Sequence, residues 1–156
     1  MSEDQARADR VRELVATVGE ALGLEGDVSV EEHPEGIRAV LEGDDLGLFI
    51  GRHGQTIDAV QHLAFKVANR DTERDAAVRV TVDAAGYRAR REQVLHRQAE
   101  QAAESATRNG APVALDAMNA SERKIVHEFL KDRDDVETYS EGTEPDRHLV
   151  VAPLQS

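Results

Sequence analysis

The sequence contains no cysteine and no tryptophan, and aromatic residues make up 3% of it. Without thiols there is no disulfide framework, no zinc–cysteine site and no thiol nucleophile, which fits a reducing compartment. With so few rings, the core must be built from Leu, Val, Ile and Ala. No apolar run reaches the ~18 residues that a membrane-spanning helix needs. The amino terminus, MSEDQARADR, is charged and lacks the apolar stretch of a signal peptide. These absences predict a cytoplasmic protein without membrane insertion. Catalytic signatures are missing too. His127-Glu128 has no second histidine at the zincin spacing, and the 6 histidines are scattered without metal-ligand spacing. No Gly-Lys-Ser/Thr closes a P-loop and no Gly-x-Ser-x-Gly elbow is present. Asp44-Asp45 and Asp134-Asp135 fall at loop or helix ends, where capping and solvation account for them. The expectation is a non-enzyme with no catalytic residue, no bound metal and no cofactor.

What is present begins with charge. The 156 residues carry a net charge of −12, which argues against a non-specific nucleic-acid binder. The distribution changes that view. Residues 1–48 hold 4 Lys/Arg against 13 Asp/Glu, a net −9; residues 49–108 hold 10 against 8, a net +2; residues 109–156 hold 5 against 10, a net −5. The middle segment alone is not acidic, and it contains the chain's most distinctive motif.

Apolar spacing predicts an amphipathic helix over residues 4–22, with Val11, Leu14, Val15, Val18 and Leu22 on one face. VSVEE and IRAVLE alternate around HPEG and predict an antiparallel hairpin. DDLGLFI reads as a short helix with Asp44 or Asp45 as N-cap. QTIDAVQHLAFKVANR reads as a helix with Ile57, Val60, Ala64 and Val67 on its inner face, and AVRVTVD as a strand. Residues 84–108, rich in Ala, Arg, Gln and Glu, favour a long helix that RNGAP ends. VALDAM is a candidate strand, and NASERKIVHEFLKD a helix with a capping box of Asn119 and Glu122. VETYSEG and RHLVVAP predict a second hairpin around TEPD. The chain is therefore expected to be α+β: an α-β-β-α-α-β unit over 1–83, then a long helix and β-α-β-β over 84–156.

Two motifs stand out. IGRHGQTI, residues 50–57, places Gly51 and Gly54 in a helix-like run, where each glycine costs about 1 kcal/mol relative to alanine. The four letters GRHG alone fit a tight inter-helix turn equally well. In context, Arg52 and His53 present positive charge where a helix opens, and helix amino termini favour anions. Missing Cβ atoms would let a phosphate backbone approach, and Ile50 and Ile57 could floor a groove for bases. The second motif is RKIVH. Arg123 and His127 are four apart and share a helix face; in isolation, such a pair reads as an exposed arginine and a surface or half-buried histidine. YRARRE, residues 87–92, is either a solvated basic face or, our preferred reading, an extension of a nucleic-acid path.

IGRHGQTI is similar to the full I-G-x-x-G-x-x-I pattern of the KH module, whose GXXG loop clamps about four nucleotides, and the element order resembles the type II form. The stretch PVALDAMNASERKIVHEFL, with VETYSEG and RHLVV, resembles the R-three-H domain, named for its arginine and histidine. The two in this order, with DLGLFIGRHGQTIDAVQHLA, GYRARRE and MNASERKIVH, resemble the bacterial Jag family, also called KhpB and named for association with the SpoIIIJ membrane insertase. The resemblance runs from about residue 24 to residue 153. It departs at the front, where many members carry an extra amino-terminal domain and a charged linker. It implies single-stranded RNA binding, with the Gly51–Gly54 loop (Arg52 and His53 at its centre) holding the phosphate backbone, side chains near Ile50 and Ile57 contacting bases, and Arg123 and His127 of the second unit holding more backbone. Arg147, placed on the last strand, is a weaker candidate. It also implies a small stand-alone KH protein as partner and a role in cell elongation and envelope homeostasis. A single-stranded DNA binder and an acidic protein–protein adaptor are the rival readings.

Overall fold

The computed structural model describes residues 1–155, which form two compact units, Met1–Arg88 and the chain from Ala89 onward. The elements are α1 (Glu3–Ala21), β1 (Asp27–His33), β2 (Gly36–Glu42), α2 (Gly47–Ile50), α3 (Gln55–Ala68), β3 (Arg79–Ala84), α4 (Tyr87–Asn109), β4 (Val113–Ala114), α5 (Ala120–Leu130), β5 (Val136–Glu141) and β6 (His148–Pro153). The α+β order matches the sequence expectation: α-β-β-α-α-β, then a long helix and β-α-β-β.

In the first unit the sheet order is β1-β2-β3. β1 and β2 form the antiparallel hairpin, with Val28 opposite Leu41 and Val30 opposite Ala39. β3 lies parallel to β2, with Ile37 beside Val80 and Ala39 beside Val82. A parallel neighbour needs a long crossover, which α2 and α3 supply. Strand alternation turns Ile37, Ala39 and Leu41 inward onto Val11 and Val15 of α1, Phe49 of α2 and the inner stripe of α3. That stripe is Ile57, Val60, Ala64 and Ala68, with Val67 only half-buried. At 3.6 residues per turn Ala68 completes about three turns from Ile57, whereas Val67 falls short of that bearing. Asn69 then fixes β3 against the end of α3: its amide donates to the carbonyls of Phe65 and Val78 and accepts from the Val78 N–H.

Two local expectations are corrected. Neither Asp44 nor Asp45 caps α2. The N-cap is Leu46, without a side-chain hydrogen bond, and Asp45 has φ 53°. Aspartate is among the few residues that tolerate the left-handed region, so Asp45 turns the chain instead of capping it. The long helix starts at Tyr87, not at residue 84. Ala84 pairs with Leu41, and Ala85 and Gly86, at φ 46° and 68°, make the corner. Strand pairing overrides the helix propensity of the alanines.

In the second unit the sheet order is β4-β6-β5, antiparallel throughout. The strand expected over VALDAM shrinks to Val113–Ala114. The core joins Leu95, Ala99, Ala102, Ala103 and Ala106 of α4 to Val126 and Leu130 of α5 and to Val136, Leu149 and Val151 of the sheet. Asn119 caps α5 as expected, its side-chain oxygen accepting from the Glu122 N–H at 2.9 Å. Among the described residues no helix is long and apolar enough to cross a membrane.

Candidate nucleic-acid interface

The loop between α2 and α3 is built by three left-handed residues: Gly51 at φ 74°, His53 at 53° and Gly54 at 80°. A Cβ on Gly51 would stand 2.3 Å from Thr56 Oγ1 and 2.8 Å from the Thr56 nitrogen. One on Gly54 would stand 2.9 Å from a carbon of the Tyr87 ring. Both glycines are therefore demanded by the protein's own packing. This corrects the expectation that their missing Cβ atoms clear a path for phosphate, because the vacant directions point inward. What the loop offers outward is Arg52 and His53. Both are exposed, and among the described residues neither side chain has a hydrogen-bond or ion-pair partner. α3 opens immediately behind them without a side-chain cap, so the positive end of its dipole lies at the loop.

The proposed groove floor is corrected at Ile57. Ile50 is partly buried against the core, and Ile57 is 0% exposed. Ile57 heads the inner stripe of α3 and is a core residue out of reach of a base. Apart from the terminal Met1, the exposed large apolar side chains of this unit are Leu48 on α2 and Leu63 on α3. Sequence reading missed both. The available signal was the one-turn length of α2, which turns Phe49 inward and leaves Leu48 outside.

YRARRE is not an open basic track. Arg88 donates from Nε to the Val82 carbonyl at 2.8 Å, from Nη1 to Asp58 at 3.0 Å and from Nη2 to Gln61 at 2.9 Å. Its backbone N–H goes to Asp83. These bonds tie Arg88 to the first unit, which runs to Arg88, while the sequence reading places the boundary between 83 and 84. Arg91 is paired at 2.7 Å with the buried carboxylate of Glu122.

In the second unit, Arg123 and His127 both reach from α5 toward the β5–β6 hairpin, but not as a free pair. Arg123 Nη1 donates to the Met118 carbonyl at 2.6 Å and Nη2 to Glu144 at 2.7 Å, and its side chain is 11% exposed. The expectation of a fork open to phosphate is corrected to an arginine already engaged. His127 is exposed, with Nδ1 bonded to Thr138 Oγ1. Arg147 precedes β6 instead of lying on it, and donates from Nη1 to the Gly142 carbonyl at 2.7 Å. Lys124, one turn before His127, is exposed, acts on the Glu128 carboxylate only through its charge, and was not singled out from the sequence. Beyond it, the hydrogen bond from Lys131 holds the Glu128 carboxyl below its ordinary range.

Two family models match the chain, one in each unit. The family model of the KhpA/KhpB KH domain matches residues 8–82, and that of the R-three-H domain residues 93–153. The chain is 36% identical over 146 residues to the RNA-binding protein KhpB of Clostridium symbiosum, an alignment covering 92% of this chain and 65% of that one. It is 34% identical over 138 residues to the protein of the same name from Bacillus subtilis, covering 87% and 65%. With the one from Lactiplantibacillus plantarum it shares 38% over 139 residues, covering 89% and 42%. The chain thus spans at most 65% of the length of these three relatives. With a KH domain of the KhpA/KhpB type followed by an R-three-H domain, it belongs to the KhpB family.

Proposed function

We propose that the chain binds single-stranded RNA through the phosphate backbone, and that it acts in the cytoplasm by binding and not by catalysis. The observation that carries this reading is the pair Arg52 and His53, whose side chains are exposed and unpartnered among the described residues at the tip of the loop opening α3. Four other arginines of this unit are committed internally, Arg7 and Arg10 bonding to Thr72 and Val67, Arg12 to Val28 and Arg38 to Asp83, while Arg74 and Arg79 are exposed like Arg52 but lie outside the loop that opens α3. In an acidic protein, two exposed donors left without partners beside a helix dipole form a small anion-attracting spot. The names of the relatives, RNA-binding proteins, support the same reading. Leu48, Leu63 and Ile50 supply apolar surface for bases. In the second unit, Arg123, His127 and Arg147 are the proposed phosphate contacts. Two modest sites on one chain raise affinity through effective concentration. A small stand-alone KH protein is the proposed partner, and cell elongation and envelope homeostasis the proposed setting; both rest on the family resemblance.

The test is Arg52→Asp with His53→Asp. Aspartate tolerates the left-handed backbone at position 53, and the exposed sites should move stability by no more than about 0.5 kcal/mol. RNA binding is expected to be largely lost. A folded double variant that binds as the parent does overturns the loop as the clamp. Competition between RNA and DNA of matched sequence separates the RNA reading from the DNA one, since phosphate contacts do not report the sugar.

A further inference from the structure

The seat of Arg123 already holds an anion, and that anion belongs to the chain. The two partners of the guanidinium differ in kind. The Met118 carbonyl is fixed backbone, held in turn by the Met118 N–H donating to the Arg147 carbonyl at 3.2 Å. The Glu144 carboxylate comes from the loop between β5 and β6, where residues 142–146 are all exposed. The ion pair is lopsided: the Arg123 side chain is 11% exposed and the Glu144 side chain 60%. The guanidinium is enclosed by protein, whereas the carboxylate stands largely in solvent. The loop does not depend on Glu144 for its shape. It is braced by the Asp146 N–H donating to the Thr143 carbonyl at 2.9 Å and by Arg147 Nη1 donating to the Gly142 carbonyl at 2.7 Å. Among the described residues, Arg123 is the one side-chain partner of the Glu144 carboxylate.

A guanidinium held this far from water needs an acceptor on each arm, and a carboxylate oxygen and a non-bridging phosphate oxygen are equivalent to it. Exchanging one for the other leaves the buried charge paired. We infer that Glu144 is a built-in competitor: it closes the Arg123 seat in the free protein, and a phosphate of single-stranded RNA must displace it to bind. This rests on the proposed reading of Arg123 as a phosphate contact. The gate lowers apparent affinity by the fraction of time the seat stands open. It also discriminates among anions. A free phosphate must compete with a carboxylate attached to the same loop, whereas a phosphate on a strand anchored elsewhere arrives with an effective concentration of its own.

The experiment measures binding of a fluorescein-labelled oligouridylate to the full chain by anisotropy, with thermal melts of every variant. Glu144→Gln is expected to tighten binding about 3–10-fold by opening the seat. Asp146→Asn makes the same charge change in the same loop without touching Arg123, and should alter affinity by less than about 2-fold. In an Arg123→Ala background the gain from Glu144→Gln should vanish. If Glu144→Gln melts early, Glu144→Asp, which keeps the charge but draws it back by one methylene, carries the test, with tightening again expected. Unchanged affinity in the folded Glu144 variants, alongside weaker binding by Arg123→Ala, overturns the gate and leaves the phosphate reading standing. Equal tightening by Asp146→Asn reduces the effect to loop charge and also overturns the gate. Unchanged affinity in Arg123→Ala alone overturns the phosphate reading of this unit and the gate with it.

Discussion

Gly54 lies against the ring of Tyr87 so closely that a Cβ there would stand 2.9 Å from one ring carbon and 3.0 Å from the hydroxyl oxygen. The same residue has φ 80°, in the region that β-carbons disfavour. Gly54→Ala therefore meets both backbone strain and overpacking, and we expect it to destabilise the protein by about 2 kcal/mol or more. Gly51→Ala, facing Thr56 at 2.3 Å, should behave alike. Urea unfolding checks this. Destabilisation of less than about 0.5 kcal/mol at both sites would mean that the loop relaxes freely and is not held by these contacts.

Salt dependence offers a measure of how many phosphates are held. With a few contacts spread over Arg52, His53, Arg123 and His127, the slope of log affinity against log salt should be on the order of −2 to −4, at about −0.7 per contact for a single strand. The measurement is a titration series in potassium chloride. A slope near zero favours the adaptor reading suggested by the net charge of −12.

The Arg91–Glu122 pair should matter to stability and not to binding. Its side chains are 17% and 9% exposed, so removing one partner takes a hydrogen-bonded counter-charge away from a largely buried group. Glu122→Ala alone is expected to cost roughly 3 kcal/mol. Arg91→Leu with Glu122→Leu should cost less than either single change. If the double variant instead loses the sum of the two, the residues act independently and the pair is not a unit.

Acid should unfold part of the advantage held at the turn after α5. The side-chain hydrogen bond from Arg133 keeps the Asp135 carboxyl below its ordinary range. A carboxylate whose folded pKa lies below its unfolded value adds stability above the unfolded value, near 4, and that stability is lost as pH falls through the lowered folded one. Asp135→Asn should lower the melting temperature at neutral pH, with the difference from the parent closing below about pH 4. A gap that stays constant down to about pH 2 would place the loss in packing and not in ionisation.

The strands were legible wherever apolar residues alternate, as in β2, because period two needs no knowledge of the partner strand. The α5 cap was legible because Asn119 and Glu122 are local. What stayed hidden depends on distant pairing. Ala84 looks helical until Leu41 claims it as a strand partner. Arg88 and Arg91 look like an open basic face until Asp58, Gln61 and Glu122 take up their donors. At the candidate sites, the exposure of Arg52 and His53 followed from a loop of two glycines. The closure of Arg123 by Glu144, 21 positions away, had no local signal.

His53 holds φ 53° at the loop tip without being glycine. Asparagine and aspartate share histidine's tolerance for that backbone, while valine, isoleucine and threonine resist it. Drift at this position is therefore channelled by geometry toward short polar side chains, whatever the ligand. The loop carries its own filter against becoming greasy, and a mutational scan of position 53 read only by folding yield should recover that filter in the absence of any nucleic acid.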